Sequence, residues 1–144
     1  MPLHLLKICV GVDEVAELVA WQKQRLVDLK RQGLPAELRH LTHQLPKRAA
    51  EIVAGGSLYW IIKGFVRVRQ RIRRIDLLEP PERGKHCALV LDRRLVPTEL
   101  QPRRPHQGWR YLDAKDAPAD LDQGRRRTGL PPALLAELRQ LGLL

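Results

Sequence analysis

Two cysteines, one serine, one phenylalanine and no apolar run long enough to cross a bilayer mark this chain of 144 residues, and each shortage removes a class of function. Cys9 and Cys87 lie inside the apolar stretches LKICV and HCALVL, so they read as buried thiols and not as a disulfide framework. Ser57 is the sole serine and stands at the start of an expected strand, which leaves no Ser, His and acid set to argue for. The longest apolar stretch, SLYWIIKGFV, is broken by Lys63, well short of the roughly 18 to 20 residues that a membrane helix needs. The opening MPLHLLKICVGVDE has no basic leader followed by an apolar segment and a small-residue cleavage site, which predicts a cytoplasmic protein without membrane partners.

Cofactor signals are equally sparse. The GGS at residues 55–57 lacks the spacing and the following helix of a dinucleotide site or P-loop. His40 and His43 have a metal-like spacing only on a helix, and no cysteine or acid stands nearby; Asp113, Asp116, Asp120 and Asp122 read as caps and turns. The expectation is therefore no metal and no cofactor.

What the chain has in abundance is positive charge. Lys and Arg number 26 against 16 Asp and Glu, a formal net charge of +10, with arginine well ahead of lysine. Clustered cations gain free energy by displacing counterions from a polyphosphate, so an anionic partner is the natural expectation; the plain alternative is a charge that serves solubility.

The apolar pattern divides the chain into a domain over residues 1–122 and an addition over residues 123–144. Leu3 to Val10 reads as a buried strand closed by Gly11. Asp13 offers an N-cap for a helix running to about Gln32, whose stripe is Val15, Leu18, Val19, Leu26 and Leu29, with Gly33 to stop it. Glu37 to Leu45 reads as a strand, and Pro46 opens a short helix, KRAAEIVA, ended by Gly55 and Gly56. From Ser57 the period changes to two, with a turn or bulge at Gly64. Cys87 to Asp92 and Arg94 to Leu100 follow as strands, Pro97 suiting an edge, and EPPERGK between them and the earlier pair reads as a loop. A basic linker then leads to a C-terminal helix, LPPALLAELRQLGLL, whose leucine face would pack on the domain or on a partner. The order predicts an α+β fold with a mostly antiparallel sheet or a small β-barrel, a long N-terminal helix and a short C-terminal one.

Two constellations carry the chemistry. After Gly64, Val66, Val68, Gln70 and Ile72 alternate with Arg67, Arg69, Arg71 and Arg73. In an extended strand residues two apart sit about 6.6 to 6.8 Å apart on one face, so four guanidiniums would form a row matched to successive phosphates. A helix over the same residues and a merely solvated face both fit the letters too. The second constellation is QPRRPHQGWRYLDAKDAP, residues 101–118, where Arg103, Arg104, His106, Gln107, Trp109, Arg110 and Tyr111 would put aromatic rings beside arginines on a loop. Such a loop suits base stacking and phosphate holding, or it caps the barrel with Trp109 buried.

LPKRAAEIVAGGSLYWIIKG, the following RQRI, LVLD with LVPT, and RPHQGWRYLDAKDAPADL are together similar to the bacterial family catalogued as domain of unknown function 1489, over most of the chain. The resemblance implies no activity and transfers no catalytic residue; His106 stands where relatives tend to carry phenylalanine, which argues against an acid or base role for it. A looser topological likeness is to PUA-like and ASCH domains, in which a short helix ending at a glycine turn leads into a barrel strand and many members bind RNA or a modified base beside it.

The reading that results is an RNA or other nucleic-acid binder, monomeric or weakly dimeric, using Lys63, Arg67, Arg69, Arg71, Arg73, Arg103, Arg104, Gln107, Trp109, Arg110 and Tyr111, with Tyr59 and Trp60 available for stacking if exposed. Two alternatives stand beside it. One is an enzyme on a nucleotide or nucleic acid with Lys63, Gln70, His106, Gln107 and Arg110 converging; the other is a protein-interaction module built on the C-terminal leucines.

Overall fold

A computed structural model describes residues 2–121; the basic linker and C-terminal helix expected over residues 123–144 lie outside the described residues. The described residues form seven strands and two α-helices: β1 Leu3–Ile8, α1 Val15–Arg31, β2 Leu38–Thr42, α2 Ala49–Val53, β3 Ser57–Ile62, β4 Phe65–Glu82, β5 Lys85–Leu91, β6 Val96–Pro102 and β7 Trp109–Asp113. The fold is mixed α+β, with the strands in one strongly curled half-barrel sheet of order β2-β5-β4-β3-β1-β7 and β6 added beside β4. Among the described residues only the β1 to β3 pairing is parallel. No described helix is long and apolar enough to cross a membrane.

β4 makes the curl. Its first half pairs with β3 on one side and β6 on the other, while its second half pairs with β5, so one strand of 18 residues belongs to both halves of the sheet. Register shifts at Trp60/Ile61 and between Ile72 and Arg74 add the twist that such a bend requires. Lys63 and Gly64, with φ of 50° and 79°, form the two-residue connection from β3, where positive φ at both positions matches the strand twist. EPPERGK is not a loop: it is the tip of the β4–β5 hairpin, Glu82 pairing with Lys85 across Arg83 and Gly84, which again take positive φ.

The hollow of the sheet is filled by Leu5, Leu58, Ile62, Val68, Ile72, Leu89 and Leu91, and α1 lies over it with Val15, Leu18 and Val19 turned in. Each such buried aliphatic side chain contributes about 1.5 to 3 kcal/mol. The expected α1 stripe is the observed one, with Leu26 partly buried. Its start differs. Glu14, not Asp13, occupies the cap position without a side-chain bond, and Glu17 accepts the Asp13 N–H. At the other end Gly33 (φ 70°) donates to Lys30 and Leu34 to Leu29, the paired closure that a glycine permits.

β3 is buried on both faces. Tyr59, Ile61 and Val66 join Leu6 and Leu112 in a second, smaller cluster on the outer side. Strict alternation would put Val66 on the same face as Val68; the register shift after Trp60 sends it to the opposite one. The free side of β6 is covered by the segment reaching Leu121, with Leu121 N–H bonded to the Pro97 carbonyl.

Candidate functional site

The arginines after Gly64 do sit on a strand, yet they do not form a row. Arg67 has no Cα partner in either neighbouring strand; its Nε donates to the Ile62 carbonyl at 2.7 Å and its guanidinium lies 5.6 Å from the Phe65 ring. Arg69 makes a two-pronged pair with Asp120 at 2.7 and 2.6 Å and also donates to Ser57 Oγ. Arg71 donates to the carbonyls of Val53, Gly56 and Ile72, closing the end of α2. Arg73 is exposed at the second register shift, next to Arg74, which is held by Glu37 and Asp76. Two bulges turn neighbouring side chains out of line, and backbone carbonyls and an acid take up three of the four guanidiniums.

Gln101 to Pro118 is not one loop either, because Trp109–Asp113 is strand β7, antiparallel to β1. Trp109 packs against the core and donates its Nε1 to the Gln44 carbonyl at 3.0 Å; Tyr111 accepts from the Arg48 N–H. Arg110 turns back onto the Gln107 carbonyl, and Arg104 and Gln107 are exposed. Arg103 and Lys63 do come together: the Arg103 N–H bonds the Gly64 carbonyl, and both residues line a groove beside the Val10–Asp13 loop.

Across that same loop the hollow of the sheet opens into a cleft of about 240 Å³ between α1, β1 and β2. Lys7, His40 and Trp60 come up from the sheet, and Trp21, Gln22 and Arg25 come down from α1. The placement follows from register. Lys7 is opposite Trp60, and His40, on the inward side of β2, meets the Trp60 indole edge-on at 5.1 Å and 85°. Trp21 is 61% exposed and Val10 82%, so the mouth is rimmed with apolar surface.

The floor of the cleft is an amide network. Gln22 and Gln70 exchange two hydrogen bonds of 2.9 Å, Trp60 Nε1 donates to Gln70 Oε1 at 2.8 Å, and Gln70 Nε2 also donates to the Asp92 carbonyl. Gln70 is thereby fully committed, while Gln22 keeps one N–H and one lone pair unused. The other open groups are Lys7 and Arg25, neither with an ion-pair partner among the described residues, and the buried His40 Nε2, which has no hydrogen-bond partner. Arg39, also at the rim, is shared with Glu82.

Burial, aided by Lys7 and Lys85, pushes the His40 imidazole down to about 4, so it is neutral near pH 7. Burial and the Lys85 charge also lower Lys7. Burial raises the Cys9 thiol to about 11, which keeps it an unreactive wall. Among the described residues no carboxylate lines the cleft.

Other combinations are not assembled. Lys63 lies in the groove across the Val10–Asp13 loop and Gln70 is committed to the floor, so the expected convergence of Lys63, Gln70 and Arg110 does not occur. His4 accepts from the Ser57 N–H, while Arg69 occupies both Ser57 Oγ and Asp120, so these three make no nucleophile relay. His40 and His43, an odd number apart along extended chain, diverge, and His43 meets Lys85. Both ring nitrogens of His106 are shielded and without a partner, and burial lowers its pKa. Tyr59 and Trp60 are buried, Trp60 presenting only part of its ring to the cleft. Sequence reasoning missed Lys7, Trp21, Arg25 and His40. Trp21 did leave a signal: it stands off the apolar stripe of α1, on the side where Arg25 lies.

The family model described as a protein of unknown function (DUF1489) matches residues 5–144. No curated protein and no solved structure matches the chain.

Proposed function

We propose, from the premise that this chain belongs to the DUF1489 family, that it binds single-stranded RNA by taking one unpaired base into the cleft between α1 and the curled sheet. The observation that carries the reading is the cleft itself: among the described residues, two tryptophans, an unpartnered imidazole nitrogen and two cations without an ion-pair partner surround about 240 Å³, with no carboxylate. That volume lies below the roughly 300 to 1,000 Å³ of pockets that enclose drug-sized ligands, and it suits a single ring system. An exposed ring such as Trp21 offers the stacking surface that unpaired bases use, worth about 1 to 3 kcal/mol per base. Arg25 at the rim, and Lys63 with Arg103 in the groove beyond the Val10–Asp13 loop, give the flanking phosphates cations at both ends. The helix, glycine turn and barrel strand of Ala49–Ile62 are in keeping with a PUA-like arrangement, with the cleft reached from the same sheet.

The test is titration of short single-stranded RNA at low and high salt. Affinity should fall steeply with salt, and Trp21→Ala should weaken it about tenfold with the fold intact. Absence of binding at low salt would remove the proposal.

A second reading, catalysis on a nucleotide, draws on Lys7 and His40, whose proton affinities burial lowers within the same cleft. Turnover of a nucleotide that is lost in Lys7→Met would favour it.

A further inference from the structure

We infer that the protein carries a second binding site, apart from the cleft, which holds a phosphoryl group between Arg73 and Arg93. The site is a pocket of about 230 Å³ where the ends of β2 and β5 meet the middle of β4, and it shares only Leu38 and Leu91 with the lining of the cleft. It does not rest on the RNA reading. A register shift makes this pocket cationic. Ile72 pairs with Leu91 and Arg74 with Val90, so Arg73 is the extra residue of a bulge, without a Cα partner in β5. Successive residues of a regular strand point to opposite faces, yet Arg73 and Arg74 both line this one pocket. Arg93, just beyond β5, lines it too, and its Nη2 donates to the Ala36 carbonyl at 3.2 Å.

The charges do not cancel there. Glu37 is the one carboxylate of the lining among the described residues, and Arg74 engages both its oxygens, at 3.2 and 3.1 Å, while also holding Asp76. Two guanidiniums are left over. Arg73 has no hydrogen bond or ion pair among the described residues, and the bond to Ala36 uses only one of the five N–H groups of Arg93. Like charges lining one small pocket repel, the more so beside the buried Val90 and Leu91, and an anion between them turns the repulsion into attraction. The two arginines approach from different elements, the β4 bulge and the β5–β6 connection. That arrangement suits a phosphoryl group, whose tetrahedral oxygens can accept from forks on two sides, better than a carboxylate, whose two oxygens share one plane. Both arginines are exposed, so a ligand reaches them from solvent. A free phosphate compound and the phosphorylated end of an RNA present the same group.

The experiment is calorimetric titration of the full chain with inorganic phosphate and, separately, with acetate, at constant ionic strength. Phosphate should bind saturably and more tightly than acetate. Arg73→Met and Arg93→Met, checked for folding by circular dichroism, should each weaken phosphate binding about tenfold or more, whereas Arg83→Met at the exposed hairpin tip should leave it unchanged. Glu37→Gln, which removes the pocket's carboxylate and releases Arg74, should tighten it. Absence of saturable binding up to about 10 mM phosphate would overturn the site. An equal loss in Arg83→Met would overturn it too, because binding would then follow general surface charge, as would acetate binding as tightly as phosphate. RNA oligomers of one sequence with 5′-phosphate and 5′-hydroxyl ends separate the two sources. A gain from the phosphate that Arg73→Met abolishes assigns an RNA end; no gain, with inorganic phosphate still bound, assigns a free phosphate compound, and either result upholds the site. Absence of RNA binding would remove the RNA reading and leave the site to stand on the phosphate titration.

Discussion

Gln22 of α1 and Gln70 of β4 face each other as a doubly hydrogen-bonded amide pair, 2.9 Å each way, and so tie the helix to the sheet beneath the cleft. The pair is unequal. Gln70 also receives Trp60 Nε1 and reaches the Asp92 carbonyl, whereas Gln22 bonds only Gln70. Gln70→Leu would strand three buried polar groups and should cost about 3 kcal/mol or more, since each orphaned group costs about 1 to 3. Gln22→Leu leaves the Trp60 and Asp92 bonds in place and should cost clearly less. Urea denaturation of the two variants checks the order.

Arg71 and Arg73 are indistinguishable by type and spacing, yet they should behave oppositely. Arg71 is wrapped onto the carbonyls of Val53 and Gly56, and Arg73 is exposed. Arg71→Ala should lower stability by about 2 to 3 kcal/mol, while Arg73→Ala should stay within about 0.5. Thermal melts of both, at matched pH, decide this.

The turn before β3 needs one particular glycine. A Cβ at Gly56 would fall 2.0 Å from the Leu3 carbonyl oxygen and 2.7 Å from that of Ile52, both backbone atoms that cannot yield, whereas one at Gly55 would meet only the Pro2 Cβ at 3.4 Å. Gly56→Ala should cost more than about 4 kcal/mol or abolish soluble expression, and Gly55→Ala should be close to neutral. Yield and melting temperature separate them.

His40 makes stability depend on acidity. Its pKa is depressed from 6.5 to about 4 in the folded chain, so below 6.5 the unfolded chain binds the proton that the folded one refuses. The contribution is fully present above about pH 6.5 and is lost as pH falls toward 4, up to about 3 kcal/mol in all. His4 and His106, also lowered chiefly by burial, act in the same direction. His40→Gln should flatten the stability profile between about pH 6.5 and 4, as followed by chemical denaturation across that range. An unchanged slope would show that His40 is not the group responsible.

Much of the fold was legible in the letters because it depends on local period. Val15, Leu18, Val19 and Leu29 mark a helix, and Val66, Val68, Gln70 and Ile72 mark a strand with the alternating burial observed. EPPERGK and the β7 residues were misread because proline, glycine and arginine suggest loops; pairing with a distant strand, Trp109–Asp113 on β1, overrides that local preference. The site was scarcely legible. The arginine run looked like a row because alternation alone hides bulges, and Lys7, Trp21 and His40 looked ordinary because they are far apart in the chain.

Composition, charge and hydrophobic period, being properties of neighbours in sequence, determined an α+β chain with a long first helix, a glycine-closed turn and a surplus of cations. Tertiary structure alone decided which cations are spent and which are free. Carbonyls and an acid brought in from other parts of the chain hold Arg67, Arg69 and Arg71. The register that sets Lys7 opposite Trp60, and His40 against the same ring, leaves Lys7 without a partner among the described residues. Charge compensation acts through space, over a few ångströms, and only the folded chain defines those distances.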